Sequence, residues 1–491
     1  MRQNSLAKNY LYNLIYQGLV IIIPIITAPY IARTLGKESL GVYSYTYSIA
    51  YYFVIFAQLG IATYGNRTIA ACRDNKEKRN QVFSTVLFLQ MTIGIFVFLI
   101  ALLYNFFINK DYSNISFIQL LYIISGIIDI NWFFFGIENF KLTVTRNTVV
   151  KVLTTVLIFI FIKTPYDTWK YTLILSSGML ISQLSVWLYL PKFVKIVKPN
   201  QDYLKRMLKP ILILFIPTLA VSIYRTMDKV MIKSLSDVVQ VGIYDSSEKF
   251  ISMCLGVINA LGTVLVPRIS NLLANHEEKK VKKLLIDSMF LISIIASAFA
   301  FGLLSISNNL ILVFYGVEFN DSIKVLSVLS ISIIFIGWAN VIRSQYIIPK
   351  KMDIFFSLSL CFGALTNVIA NLILIPKYGA TGAAYGTVIA EFSVACIQTT
   401  YLFKKIPVLK LLAKWGVPLV AGTIMHLVIR FGLGQLEDSL INLIIRIING
   451  STIYLLIILI YSSLTNNLFH EFISKKIEKI IFKNDILGGI K

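Results

Sequence analysis

Residues Val82–Asn109 read VFSTVLFLQMTIGIFVFLIALLYNFFIN, 28 consecutive positions without a charge. As a helix this run extends about 42 Å, more than the roughly 30 Å of hydrocarbon in a bilayer. Leu11–Ala32 and Ser288–Val317 are likewise uncharged. Of the 491 residues, 57% are hydrophobic and 14% charged, whereas ordinary soluble domains are about a quarter charged. A soluble fold would have to hide this apolar surface in cores that so few charges could not cover. The chain therefore reads as an all-α polytopic membrane protein. Its first apolar run is too long for a cleaved signal peptide and lacks a small-residue cleavage site, so it reads as a retained helix.

About fourteen spans are predicted, from Leu11–Arg33 to Leu440–Leu464. Among them are Phe117–Gly136, Thr148–Ile162, the seventh span Ile211–Lys233 and the eighth, Ile243–Val266. Alternate loops then fall on opposite faces, and one face carries 32 of the 46 Lys and Arg. Lys and Arg are retained on the cytoplasmic side during insertion, so that face, with both termini, is expected in the cytoplasm of a bacterial cell. The opposite loops hold acids such as Asp111, Asp167, Asp237 and Glu318. Spread over short loops, the net charge of +22 does not form a nucleic-acid surface. Four scattered cysteines show no metal or redox spacing. No Gly-x-x-x-x-Gly-Lys-Ser/Thr loop is present, and no loop is large enough to house soluble chemistry. The expectation is a protein without cofactor or metal that is not an enzyme.

The basic linker Lys192–Lys209, flanked by Pro191 and Pro210, separates residues 1–200 from 201–405. Residues 406–491 hold the last two spans and a basic amphipathic tail, 475–483, suited to lying on anionic lipid. At a constant offset of 201, Gly41, Tyr43 and Arg67 fall on Gly242, Tyr244 and Arg268. Six spans per half would make the repeats parallel, as in several transporters.

Pro29-Tyr-Ile-Ala-Arg-Thr-Leu-Gly36, Asn131-Trp-Phe-Phe-Phe-Gly-Ile-Glu138 and Tyr224-Arg-Thr-Met-Asp-Lys-Val-Met-Ile232 resemble signatures of the polysaccharide-repeat-unit flippases. Val241-Gly-Ile-Tyr-Asp-Ser-Ser-Glu-Lys249, Val266-Pro-Arg-Ile-Ser270 and Ile375-Pro-Lys-Tyr-Gly-Ala-Thr-Gly-Ala-Ala-Tyr-Gly386 are similar to that family as well. The resemblance covers roughly residues 10 to 405. It implies membership of the superfamily of multidrug, oligosaccharidyl-lipid and polysaccharide exporters. It further implies two six-helix bundles around a central cavity, plus two C-terminal helices. The implied cargo is an undecaprenyl-pyrophosphate-linked oligosaccharide for capsule, exopolysaccharide or O-antigen. Polysaccharide polymerase and chain-length proteins are conceivable partners beside membrane lipids. A teichoic-acid or lipid II precursor flippase would use the same kind of basic cavity; a drug or cation antiporter of the superfamily would want an acidic one.

An ionisable group at mid-bilayer costs about 2.5–3.5 kcal/mol and usually faces a partner or a wet cavity. Arg225, Asp228 and Lys229 share the seventh span; Asp245, Glu248 and Lys249 share the eighth. Two readings follow: a cationic patch for pyrophosphate and sugar hydroxyls, or ion pairs that fasten the two spans together. Arg33 and Arg343 are either cavity-lining or snorkelling. Asp129 and Glu391 are candidate ion-coupling residues or hydrogen-bonded acids within helix packing. Arg446 is expected at the membrane interface. Pro24, Pro29 and Pro217 bend the first span of each half. Gly379, Gly382 and Gly386 suit close helix packing.

Overall fold

A computed structural model describes the backbone of residues 2–465, with side chains from residue 23 onward except at 140, 141, 224, 225, 263 and 264. The basic tail and the Arg225 side chain lie outside the described residues. The helices are α1 (Arg2–Gln58), α2 (Ile61–Cys72), α3 (Lys76–Phe107), α4 (Ser113–Ile127), α5 (Asn131–Gly136), α6 (Phe140–Phe161) and α7 (Thr168–Trp187). They continue as α8 (Gln201–Leu235), α9 (Val238–Ala274), α10 (Glu278–Phe314), α11 (Ser322–Ile342), α12 (Asp353–Leu402), α13 (Val408–Gly432) and α14 (Leu440–Thr465). No strand occurs among the described residues.

Twelve of the described helical stretches are long and apolar enough to cross a membrane. Two of these, Ile23–Cys72 and Asp353–Leu402, each run for 50 residues. Straight, each would measure about 75 Å. Each is divided by a glycine in the left-handed region, Gly36 (φ 75°) and Gly379 (φ 54°), a conformation that a Cβ disfavours. Pro24 and Pro29 lie within α1, and Pro210 and Pro217 within α8.

Two expected boundaries moved. The span expected at Phe117–Gly136 is broken between Ile127 and Asn131. The Asp129 carboxylate accepts the Asn131 amide at 2.8 Å, the local Asp turn that competes with helix continuation. Residues 140–147, expected to lie between the spans Phe117–Gly136 and Thr148–Ile162, are helical, because α6 starts at Phe140.

The chain forms two compact units. The first comprises Met1–Ser246, Phe314–Phe319 and Gly363–Gly386. One of its cores is aromatic, with Phe83, Trp132, Phe133 and Phe134 all buried. Gly65 leaves room there, since a Cβ would lie 2.5 Å from Trp132; in a second core Gly94 does the same for Ile127, also at 2.5 Å. The second unit comprises Ser247–Val313, Asn320–Phe362 and Thr387–Lys491. Its core joins α10, α13 and α14 through Phe290, Ile294, Met425, Ile429 and Tyr454. Arg446, expected at the membrane interface, is 5% exposed within the protein. It lies 3.7 Å from Asp438 and donates to the Leu436 carbonyl at 2.7 Å, so the connection before α14 folds over it.

Candidate functional site

Segments from both halves of the sequence meet within the first unit, at the acidic-loop ends of the helices. A Cβ built on Gly41 would lie 1.9 Å from the Val238 carbonyl oxygen and 3.1 Å from the Gly242 nitrogen. A Cβ on Gly242 would lie 1.9 Å from the Lys37 carbonyl oxygen and 3.1 Å from the Gly41 nitrogen. Lys37 and Val238 are themselves 201 residues apart. The contact is therefore reciprocal, and α1 crosses α9 backbone to backbone at a local two-fold axis between repeat equivalents.

Two helix starts at the same end are capped by side chains from distant sequence. After the Gly36 kink, the Lys37 amide points at Glu318 Oε1, 3.5 Å away. After the Gly379 kink, the Ala380 amide donates to Gln240 Oε1 at 2.9 Å. A helix start leaves its first amides without intrahelical partners, so these side chains tie each kink to another segment. Gly379 thus serves a turn. Gly382 and Gly386 serve close packing, where a Cβ would meet the Leu374 carbonyl at 2.3 Å and Asn371 Oδ1 at 2.1 Å. Arg33 joins this closure. It is exposed, and its Nε donates to the Phe314 carbonyl at 3.1 Å. Lys233 lies 3.6 Å from Asp111 and 5.6 and 5.7 Å from the ring centres of Tyr45 and Tyr112.

One turn inward, a buried polar cluster joins α1, α8, α9 and α12. Lys229 Nζ lies 2.6 Å from Asp245 Oδ1, and Ser44 Oγ donates to the same oxygen at 2.8 Å. Ser44 and Asp245 are again 201 residues apart. Asp228 accepts from the Tyr244 hydroxyl and from Asn371 Nδ2, each at 2.6 Å. Asp228 and Asp245 are 3% and 7% exposed and Asn371 is fully buried, so every bond here works in a low dielectric. Of the two sequence readings, ion pairing is the one this arrangement realises for Lys229. A charge buried this deeply is costly unless paired, and Asp245 is the acid that α9 presents to it.

The structure does not bring Arg33 into this cluster. Glu248 and Lys249 lie farther along α9, half-buried, in the second unit. Arg343 opens a π-helical turn, Arg343–Ile347, in that unit, and its Nη2 donates to Asn259 Oδ1 at 3.3 Å. Such turns are frequent at functional sites. Glu391 is 8% exposed on α12.

A second polar group was missed by the sequence reading. Arg146 donates to Asn147 Oδ1 at 2.8 Å, to Asn131 Oδ1 at 3.1 Å and to Gln183 Oε1 at 3.4 Å. Asn131 and Asp129 also line a cavity of about 150 Å³ with Gln58, Gln90 and Trp132. Arg146 was hidden because it reads as one more loop cation. The signal available was the neighbouring Asn147, an amide that can accept from a guanidinium. Among the described residues, no three His, Cys, Asp or Glu side chains gather in a way that could hold a metal ion.

Comparison with known proteins supplies the family. The model of the family described as "Polysaccharide biosynthesis protein" matches residues 6–273. A protein of Escherichia coli K12 named as an O-antigen transporter is 25% identical over 403 residues, 81% of this chain and 97% of that protein. The capsular polysaccharide biosynthesis protein CapF of Staphylococcus aureus is 23% identical over 412 residues, covering 82% of this chain and 100% of CapF. Among solved structures, lipid II flippase MurJ in an inward closed conformation superimposes with a TM-score of 0.73 at 16% identity, over 94% of this chain and 100% of MurJ. An inward-facing multidrug-resistance MATE transporter does so with 0.58, also at 16% identity, over 79% of this chain and 99% of the transporter. At such identities the structural likeness speaks for the fold. With more than half of its length matched by the family model, this multi-pass helical membrane protein belongs to the polysaccharide biosynthesis protein family.

Proposed function

We propose that this protein carries a polyprenyl-pyrophosphate-linked oligosaccharide across a bacterial cytoplasmic membrane by alternating access, its basic loops and both termini facing the cytoplasm. The observation that carries the reading is the reciprocal approach of Gly41 and Gly242. Repeat-related helices that touch at one end without a side chain between them form a seal that separation can break. Rocking of two repeat-related bundles, residues 1–200 and 201–405, about such a contact would expose the cargo site to each side in turn. The names of the E. coli and S. aureus relatives, an O-antigen transporter and a capsular polysaccharide biosynthesis protein, support a glycan cargo.

A flippase of this kind must shelter a pyrophosphate and sugar hydroxyls while the polyprenyl tail stays in lipid. In the closed arrangement Lys229 is neutralised by Asp245. Separation of α1 from α9 removes Ser44 from Asp245, loosens that pair and frees positive charge for the pyrophosphate. In this reading Arg225, Lys229, Lys249 and Arg343 meet the phosphates, and Asp228 and Glu248 accept from sugar hydroxyls. Arg33 belongs to the rim. Asp129 and Glu391 are proposed to couple an ion gradient to the cycle. The test is purified protein in vesicles holding labelled lipid-linked oligosaccharide. Transfer of the sugar between leaflets without new glycosidic bonds is expected. Transfer no faster than in protein-free vesicles would reject the proposal, and new glycosidic bonds would make the protein an enzyme.

A further inference from the structure

At the basic-loop end of the second unit, the hairpin of α9 and α10 encloses a cavity of about 660 Å³, within the range of small-molecule sites. Its lining changes character along the helices. On α10, Lys280 and Lys283 come first, Asp287 follows one turn deeper, and Leu291 and Ile294 lie deeper still. These positions repeat at helical spacing and so form one stripe. On α9, Arg268 stands between Leu265 and Leu272 on one face of that helix. From Lys280 to Ile294 the stripe runs about 21 Å, enough to span the roughly 15 Å of hydrocarbon in one leaflet. Phe290 backs the groove, with Lys414 Nζ 5.3 Å from its ring centre.

A gradient from exposed cations to an apolar floor matches an anionic lipid lying along the helices, head at the interface and chain inward. The charge selects among such lipids. Arg268, Lys280, Lys283 and Lys414 outnumber Asp287 and Glu277, which pairs with Lys280. This net positive charge favours an anionic head over a zwitterionic one. We propose that this groove holds an anionic glycerophospholipid of the cytoplasmic leaflet, its phosphate on Arg268 and Lys283 and one acyl chain along Leu291 and Ile294. The occupant is a bulk membrane lipid, distinct from the cargo. The leaflet assignment rests on the proposed orientation, but binding itself is read without any transport assay.

The full chain in neutral detergent is titrated with phosphatidylglycerol or phosphatidylcholine, with retained lipid counted by native mass spectrometry. Preference for phosphatidylglycerol is expected. A Lys or Arg near an anionic surface contributes about fivefold in affinity, so Arg268→Gln/Lys283→Gln should weaken that preference about 25-fold. Leu291→Trp, which fills the floor and leaves the charges, should displace the lipid equally well. Lys404→Gln/Lys410→Gln, exposed elsewhere on the basic face, should leave it in place. Arg268, Lys283 and Leu291 are themselves exposed, so these variants should fold; melting curves verify this. Equal binding of both lipids, an equal loss in the control pair, or retention of polyprenyl pyrophosphate in place of phosphatidylglycerol would each overturn the proposal.

Discussion

Gly41→Ala places a methyl group 1.9 Å from the carbonyl oxygen of Val238. Carbon-to-oxygen contacts run at about 3.3 Å or more, so α1 and α9 must part locally by about 1.4 Å. Overpacking of this kind costs about 1–3 kcal/mol, a factor of about 5–150 in a two-state equilibrium. If the closed state begins at about 99:1, it falls to between about 95% and about 40% of the population. Because the contact is reciprocal, Gly242→Ala meets the Lys37 carbonyl at the same 1.9 Å and should act equally. One separation accommodates both methyl groups, so the double variant should fall well short of additivity. The reporter is Ser48→Cys, a fully buried position one turn inward of Ser44, in a chain whose four native cysteines are replaced by Ala. Its labelling by a membrane-impermeant maleimide tracks the open fraction, and both glycine variants should accelerate it about 5–60-fold. Unchanged labelling in folded variants, or full additivity in the double, would refute the reasoning.

Lys229→Met takes from the buried Asp245 a cation 2.6 Å away, and breaking a buried pair this way costs about 3–5 kcal/mol. Lys229→Met/Asp245→Leu should therefore melt higher than the single variant; equal melting would deny the pairing its structural weight. Asp228→Ala removes the carboxylate that accepts from both the Tyr244 hydroxyl and Asn371 Nδ2, at about 1.5–3 kcal/mol for each hydrogen bond to a charged group, and should lower the melting temperature more than Tyr244→Phe does. Arg446→Leu should also lower thermal stability, by loss of the Leu436 and Asp438 contacts, while leaving flipping per folded molecule intact; selective loss of flipping would move Arg446 into the mechanism. Asp129→Asn keeps an acceptor for the Asn131 amide, so the fold should persist while flipping ceases to respond to an imposed ion gradient. An unaltered response would reduce Asp129 to a helix cap.

The fold class was readable because hydrocarbon demands long uncharged helices, and Val82–Asn109 could be little else. The offset of 201 that pairs Gly41 with Gly242 in the sequence is also the spacing of two glycines that meet reciprocally in the structure. What failed to show was pairing. Lys229 and Asp245 are 16 residues apart, and whether such residues neutralise each other or face a cavity depends on the packing of α8 against α9. The kink at Gly36 falls just after the first expected span, which ends at Arg33, whereas the one at Gly379 was concealed because glycine marks tight packing and turns alike. The partners of Arg146 and Arg446 were hidden for a common reason: only tertiary structure shows which amides and carbonyls meet a cation near a span end.

The central claim is that the end of the molecule closed at Gly41 and Gly242 must open for cargo to cross. Asp111 and Lys233, partly exposed and outside the buried cluster, lie 3.6 Å apart at that end. With Asp111→Cys/Lys233→Cys bridged by a short, reducible bifunctional thiol reagent, flipping in vesicles should stop and should return on reduction. Flipping at the unbridged rate by fully bridged protein would contradict the account.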